Sequence, residues 1–364
     1  MPVIATRKTL MKQFEPHADY GFFGPDSVTW KVWIYPTSYI LGFARSVTIE
    51  HLDPNLAAAV VQSGGVKYRP HTRYGRTLRY FGLVAFGATE PTTRAADVLV
   101  KVHSKAIGHD PVTGGEYDAN LPSSQLWIHM TAWHSILYCY EKFGPGRLGA
   151  EEEAQYWEEC ARAAELQTID PATVPRTREE VIAYFEEWRP RLAVSEAALD
   201  MVDFILSLEV ALPPETPAWR KLALKPALYV LRKGVIATYP QYMRKMFDLR
   251  QGRITDAIVI PTLRVSHWLF NKSTVVKFFF MNMIAPAAVE VAAPVILGIP
   301  PVSPTTMTPR EAQAKYGYAV PNEAHRDIRD RQRDRVFNKH LEPSDDGLVE
   351  SQQHLGSMEA AIFA

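Results

Sequence analysis

Cysteine is almost missing from this chain: its 364 residues include two, Cys139 and Cys160, both inside helical patterns. That excludes a disulfide framework and a thiolate-rich metal cage, and it points to a reducing, cytoplasmic setting. Net charge is missing as well, because 40 Lys+Arg balance 40 Asp+Glu. Without a global field there is no general attraction for nucleic acid, and no nucleic-acid partner is expected. Several catalytic signatures are absent. There is no P-loop, no Gly-x-Gly-x-x-Gly after a strand, no Gly-x-Ser-x-Gly elbow, no His-Glu-x-x-His and no Glu-x-x-His pair on a core helix. The N-terminal Met-Pro-Val-Ile-Ala-Thr-Arg-Lys has no apolar run behind its charges and does not read as a secretory signal. Uninterrupted apolar runs are lacking too. The most hydrophobic stretch, Val275 to Val302, contains Lys277, Glu290, Pro286, Pro294, Pro300 and Pro301, which does not suit a spanning helix. It is expected to be a core helix, with peripheral membrane contact through 275–302 and a homodimer contact as the alternatives.

What is present is helical periodicity. Apolar residues recur at three- and four-residue spacing from the first third of the chain to residue 338, and no convincing period-two strand interrupts them. Caps and breakers mark the boundaries. Asp26 or Ser27 opens one helix, Pro122 and Ser195 open others, and Gly87 and Gly144 close two more. The segment from Thr89 keeps its helical period to Ile107, and Asp53-Pro54 opens a short helix that stops at Ser63-Gly64-Gly65. The expected fold is all-α, a single large bundle of about a dozen helices with a C-terminal helical extension. Residues 1–20 form a lead-in, 21–272 the main helical domain, 273–340 the apolar helix and extension, and 341–364 a polar tail expected to be partly disordered.

The residues that suggest chemistry lie between Arg73 and His134. His103 has Ala96, Leu99, Ala106 and Ile107 as helical neighbours, and His129 has Leu126, Ala132, Trp133 and Ile136. An imidazole in an apolar slot between helices is what haem ligation needs. The plainer reading is a hydrogen-bonded core histidine, which is the commoner use of such a residue. Arg73 and Thr77 share one helix face with Tyr80, Phe81 and Val84. They read either as polar groups turned toward a ligand or, with Arg69, Arg76 and Arg79, as an ordinary basic surface stripe.

The order of several motifs resembles one family. These are Gly24-Pro25-Asp26-Ser27-Val28-Thr29-Trp30, Arg73-x-x-Arg76-Thr77, Val102-His103-x-Lys105-x-x-Gly108, Asp118-Ala119-Asn120 and Leu126-Trp127-Ile128-His129. The chain is similar over roughly residues 20 to 270 to the MpaB-type oxygenases, whose catalytic domain is shared with the latex clearing proteins. The resemblance implies a globin-like bundle holding haem b, and oxidative cleavage of a double bond in an apolar, isoprenoid or lipid-like substrate by dioxygen. It implies that Arg73 and Thr77 line the distal side and that His103 ligates the iron, with His129 as the alternative. Arg76, Tyr80, Phe81, Leu99 and Trp133 complete the expected haem surroundings. Arg76 stands where a lysine able to coordinate iron is usual. A guanidinium stays protonated, so the sixth position is expected to be open, water-bound or filled by another histidine. Asp53 stands where His-Pro is usual, and Glu50 where a glutamine is usual. A haem- or lipid-binding sensor or carrier without turnover is the alternative function.

Overall fold

The computed structural model describes residues 6–57, 70–109 and 114–344. The helix expected to run from Pro54 to Ser63, and the polar tail beyond Ser344, fall largely outside that range. Among the described residues the chain is all-α apart from one small hairpin. In order, the helices are α1 (Arg7–Met11), α2 (Val28–Trp33), a π-turn (Ser38–Gly42) that runs into α3 (Phe43–Glu50), α4 (Pro70–Phe86) and α5 (Thr89–His103). The strands β1 (Ile107–His109) and β2 (Glu116–Asp118) follow. Then come α6 (Pro122–Phe143), α7 (Ala150–Ala164), α8 (Arg178–Trp188), α9 (Glu196–Ser207), α10 (Ala218–Ala237), α11 (Gln241–Met246) and α12 (Arg253–Asn271). The last are α13 (Thr274–Ile284), α14 (Pro286–Leu297), α15 (Pro309–Tyr316) and α16 (Pro321–Arg333).

The hairpin corrects two expectations at once. α5 ends at His103 rather than continuing to Ile107, and Ile107 pairs with Asp118 in an antiparallel ladder. The sequence run Gly-His-Asp-Pro that follows contains turn formers, and cross-strand pairing of Ile107–His109 with Glu116–Asp118 takes the place of a fifth helical turn. Asn120 Nδ2 donates to the Val100 carbonyl at 2.8 Å, satisfying part of the helix end.

α6 is apolar nearly all round, and a helix of that kind belongs in the middle of a bundle. Trp127, Met130, Trp133, Cys139 and Phe143 are all fully buried on it. α3 packs along one side of it and α7 along another. Two remote carboxylates hold helix beginnings in place. Asp19 accepts from the Gly21 N–H, the Thr89 N–H and the Thr89 hydroxyl, and so caps α5. Glu159, on α7, accepts from the Val28 and Thr29 N–H groups and the Thr29 hydroxyl at the start of α2. Glu159 is buried. Glu159→Ala orphans three donors and is expected to cost about 3 kcal/mol of stability. Urea titration checks this, and a loss under about 0.5 kcal/mol would show that water replaces the carboxylate.

Most of the apolar side chains of Val275 to Val302 pack in the core, while Val276, Phe279 and Val302 are exposed. α14 lies along α4, where a Cβ on Gly75 would stand 3.3 Å from the Ala287 Cβ and one on Gly82 3.6 Å from the Ala288 Cβ. Small residues on both helices permit that approach, and Arg79 reaches Glu290 at 3.0 Å across it. Peripheral membrane contact through 275–302 finds no support in this packing, since Ala288, Val289, Val291, Ala292, Ala293, Ile296 and Leu297 are buried. Among the described residues no helix is long and apolar enough to cross a membrane. The basic and acidic α16 clamps the hairpin, with Arg333 2.5 Å from Glu116 and Arg329 3.8 Å from Asp118.

Candidate functional site

With its glycine face against α14, α4 turns its opposite face to a cavity of about 550 Å³ lined by α3, α4, α5, α6 and α9. That volume suits a cofactor or a small ligand. Its wall is mostly apolar: Ile40, Phe43, Val47, Phe81, Leu99 and Ile128 belong to it. Arg73, Arg76, Thr77, Tyr80, Phe81, Leu99 and His103, all singled out in the sequence, line it together. Arg69 lies outside the described residues.

His129 and Trp133 do not line it. Trp133 is 1% exposed and packs on Trp33 at 5.2 Å and Tyr156 at 5.2 Å between ring centres. It therefore belongs to the aromatic core rather than to the cavity wall. His129 Nε2 donates to the Cys160 carbonyl at 2.8 Å, and its Nδ1 accepts from Gln167 Nε2 at 3.2 Å. Both ring nitrogens are occupied, which is the arrangement of a satisfied core histidine. Burial brings its pKa down to about 4, so the ring is neutral. Gln167, not His129, is the side chain of this pair that reaches the cavity.

His103 is also neutral. Burial, and then the neighbouring Arg73 charge, lower its pKa to about 4. Gln125 Nε2 lies 3.3 Å from its Nδ1 and also donates to the Ala119 carbonyl. An amide nitrogen between two acceptors donates to both, so the His103 proton is carried on Nε2. Nε2 has no protein partner among the described residues. Thr77 donates its hydroxyl proton to the Arg73 carbonyl at 2.9 Å. Toward the cavity it therefore has lone pairs to offer, not a proton.

Two residues that were not assigned a role in the sequence adjoin Arg73. His51 ends α3, and its Nδ1 donates to the Val47 carbonyl at 2.6 Å. Its Nε2 is thereby fixed as the unprotonated nitrogen, and that atom is buried without a partner. Burial and Arg73 hold its pKa at about 4. Glu50 precedes it. Its carboxylate accepts from the Ser46 hydroxyl at 2.6 Å and the Thr131 hydroxyl at 3.3 Å. Burial nevertheless raises its pKa to about 7, against the opposing pull of those hydroxyls and of Arg73. Both side chains line the cavity. A carboxyl poised near neutrality on a cavity wall can hold or release a proton there. The sign of its linkage is definite. The folded protein holds a proton on Glu50 that the unfolded chain has lost, so this contribution is full below about pH 4.5 and disappears as pH rises through about 7. Between pH 5 and pH 8, Glu50→Gln is expected to gain about 3 kcal/mol relative to the parent. Parallel profiles in urea titrations across that range would contradict it.

Among the described residues no group of three His, Cys, Asp or Glu side chains could hold a metal ion. The donor set instead fits a metal carried in by a macrocycle: a neutral imidazole, an apolar slot, and guanidinium groups able to face carboxylates.

Comparison with known proteins gives one result. The family described as ER-bound oxygenase mpaB/B'/Rubber oxygenase, catalytic domain, matches residues 30–271, which include every cavity-lining residue named above. No curated protein and no solved structure matches.

Proposed function

This chain belongs to the mpaB/rubber oxygenase catalytic-domain family, and from that premise we propose a haem b-dependent oxygenase acting on a double bond in an apolar, isoprenoid or lipid-like substrate. The observation that carries the reading is the cavity itself. It combines an apolar wall with two neutral imidazoles, His103 and His51, neither of whose Nε2 atoms has a protein partner among the described residues, and with the cations Arg73 and Arg76. His103 would hold the iron, and Arg76 would face the propionates. Haem supplies the activation of dioxygen when it is bound.

The protein's own groups do the rest. Phe43, Phe81, Leu99 and Ile128 bind an apolar chain and exclude water, which strengthens every charge interaction inside. The Arg73 guanidinium offers donors to oxygen as negative charge develops on it. Thr77 anchors the Arg73 backbone and presents lone pairs. Glu50, beside Arg73, holds a proton near neutral pH and can hand it over or take it back. The identity of the ligand requires one local change: Gln125 must turn its amide so that Oε1 accepts a proton from His103 Nδ1, freeing Nε2.

The test uses haem-loaded protein in an oxygen electrode with a cis-polyisoprene oligomer. Dioxygen uptake with appearance of carbonyl-ended products is the expected result. Haem retention with no uptake over the haem-only background would replace this reading with the sensor or carrier. Failure to take up haem at all would remove both.

A further inference from the structure

α12 is apolar on two opposite faces. Val259, Leu263 and His267 form its buried stripe. Ile254, Ile258, Val265, Trp268 and Leu269 form a second stripe in solvent, at i, i+4, i+11, i+14 and i+15, with Pro261 bridging the gap. Ile254 is 79% exposed and Trp268 52%. α10 packs against α12, its Gly234 fitted to Leu263, and it exposes Trp219, Leu222 and Tyr229. A helix apolar all round is normally buried, and an uncovered apolar surface of this extent marks a contact with something else.

Charge decides what that something is. α10 contains Arg220, Lys221, Lys225, Arg232 and Lys233 and no acidic residue. Arg232 is paired with Asp203 at 2.7 Å, while Arg220, Lys221, Lys225 and Lys233 have no carboxylate within 4 Å among the described residues. Lys233 and Lys272 lie over the rings of Tyr229 and Trp268, so cations alternate with exposed aromatics. A second copy of this chain would bring the same cations face to face and repel. An anionic lipid surface complements both halves of the pattern: headgroups for the lysines and arginines, acyl chains for tryptophan, leucine and isoleucine.

We propose that α10 and α12 form a peripheral membrane-binding face, selective for anionic lipid, that rests on the bilayer without crossing it. It is distinct from α14, whose apolar residues are buried, and does not depend on the oxygenase reading, because lipid contact needs neither haem nor substrate. The full chain is floated with phosphatidylcholine vesicles with and without phosphatidylserine. It is expected to float with the anionic vesicles roughly tenfold more strongly than with the neutral ones, and to be released by high salt. Trp219→Glu with Trp268→Glu, both at exposed positions that leave the core intact, is expected to abolish flotation. Lys221→Glu with Lys225→Glu is expected to remove the preference for anionic vesicles. Absence of flotation with either vesicle overturns the proposal. So does equal flotation of the tryptophan variant, or a parent that is dimeric by light scattering, becomes monomeric in that variant, and does not float.

Discussion

His103→Ala protein incubated with haem is expected to give no stable Soret band after gel filtration, with affinity down roughly a hundredfold or more. His129→Ala is expected to keep the band. The contrast follows from the two environments. His129 spends both nitrogens on Cys160 and Gln167 in the aromatic core, whereas His103 borders the cavity with Nε2 unclaimed. His51→Ala is the instructive third arm. Its Nδ1–H bond to Val47 leaves Nε2 as a lone pair, the tautomer that metal-bound histidines adopt. If His51→Ala loses the band and His103→Ala keeps it, the ligand is His51. If His51→Ala changes only the shape and position of the band, His51 occupies the sixth position that Arg76 cannot fill. Retention by all three variants would remove a histidine ligand from the cavity.

Acid is expected to unfold the haem-free protein well above the range of ordinary carboxylate titration. His51, His129 and His267 are all buried, and burial lowers each pKa to about 4. The unfolded chain binds their protons near pH 6.5 and the folded chain does not, so their contribution to stability is present above about pH 6.5 and is lost as pH falls toward 4. From pH 7 to pH 5 each costs about 2 kcal/mol, or about 6 kcal/mol for the three. Glu50 acts in the opposite direction and returns about 2 kcal/mol over the same interval. The net loss from these four groups, about 4 kcal/mol, is a large part of the roughly 10 kcal/mol that holds a typical domain together. Urea midpoints at pH 7, 6 and 5 measure it. Equal midpoints would mean that these rings are protonated in the fold or reach water. His267→Gln, which removes one ring far from the cavity wall, should flatten the profile by about 2 kcal/mol.

The helical fold was largely legible because its punctuation is local. Ser27 and Ser195 cap helices whose starts their sequence marks, each hydroxyl oxygen accepting from a backbone N–H, that of Trp30 and that of Ala198. The Arg73–Thr77 face was legible for a similar reason, since four-residue spacing fixes a shared face whatever the tertiary setting. What failed was whatever depended on partners distant in sequence. Trp133 and His129 lie on an apolar helix exactly as a cavity wall would, yet α6 is buried on every side and those two face Tyr156 and Cys160. Glu50 and His51 are adjacent in sequence, a spacing that on a continuous helix puts them on different faces. They share the cavity because the helix stops between them, and His51 is drawn back to Val47 at the turn. Gln125 and Gln167 left no mark, because a glutamine becomes informative only when the imidazole opposite it is known.

The close fit of Gly75 and Gly82 against Ala287 and Ala288 has a consequence for how the protein can be divided. The family match ends at residue 271, and every cavity-lining side chain precedes that point. A fragment cut there would retain all the chemistry and lose the back wall of the helix that presents it. Methyl groups would be stripped from one side of α4, water would reach the glycine face, and the arginine and threonine on the other side would lose their fixed bearing. Heredity and mechanics thus draw the boundary of this site in different places, and the mechanical one lies at least a helix pair further along the chain.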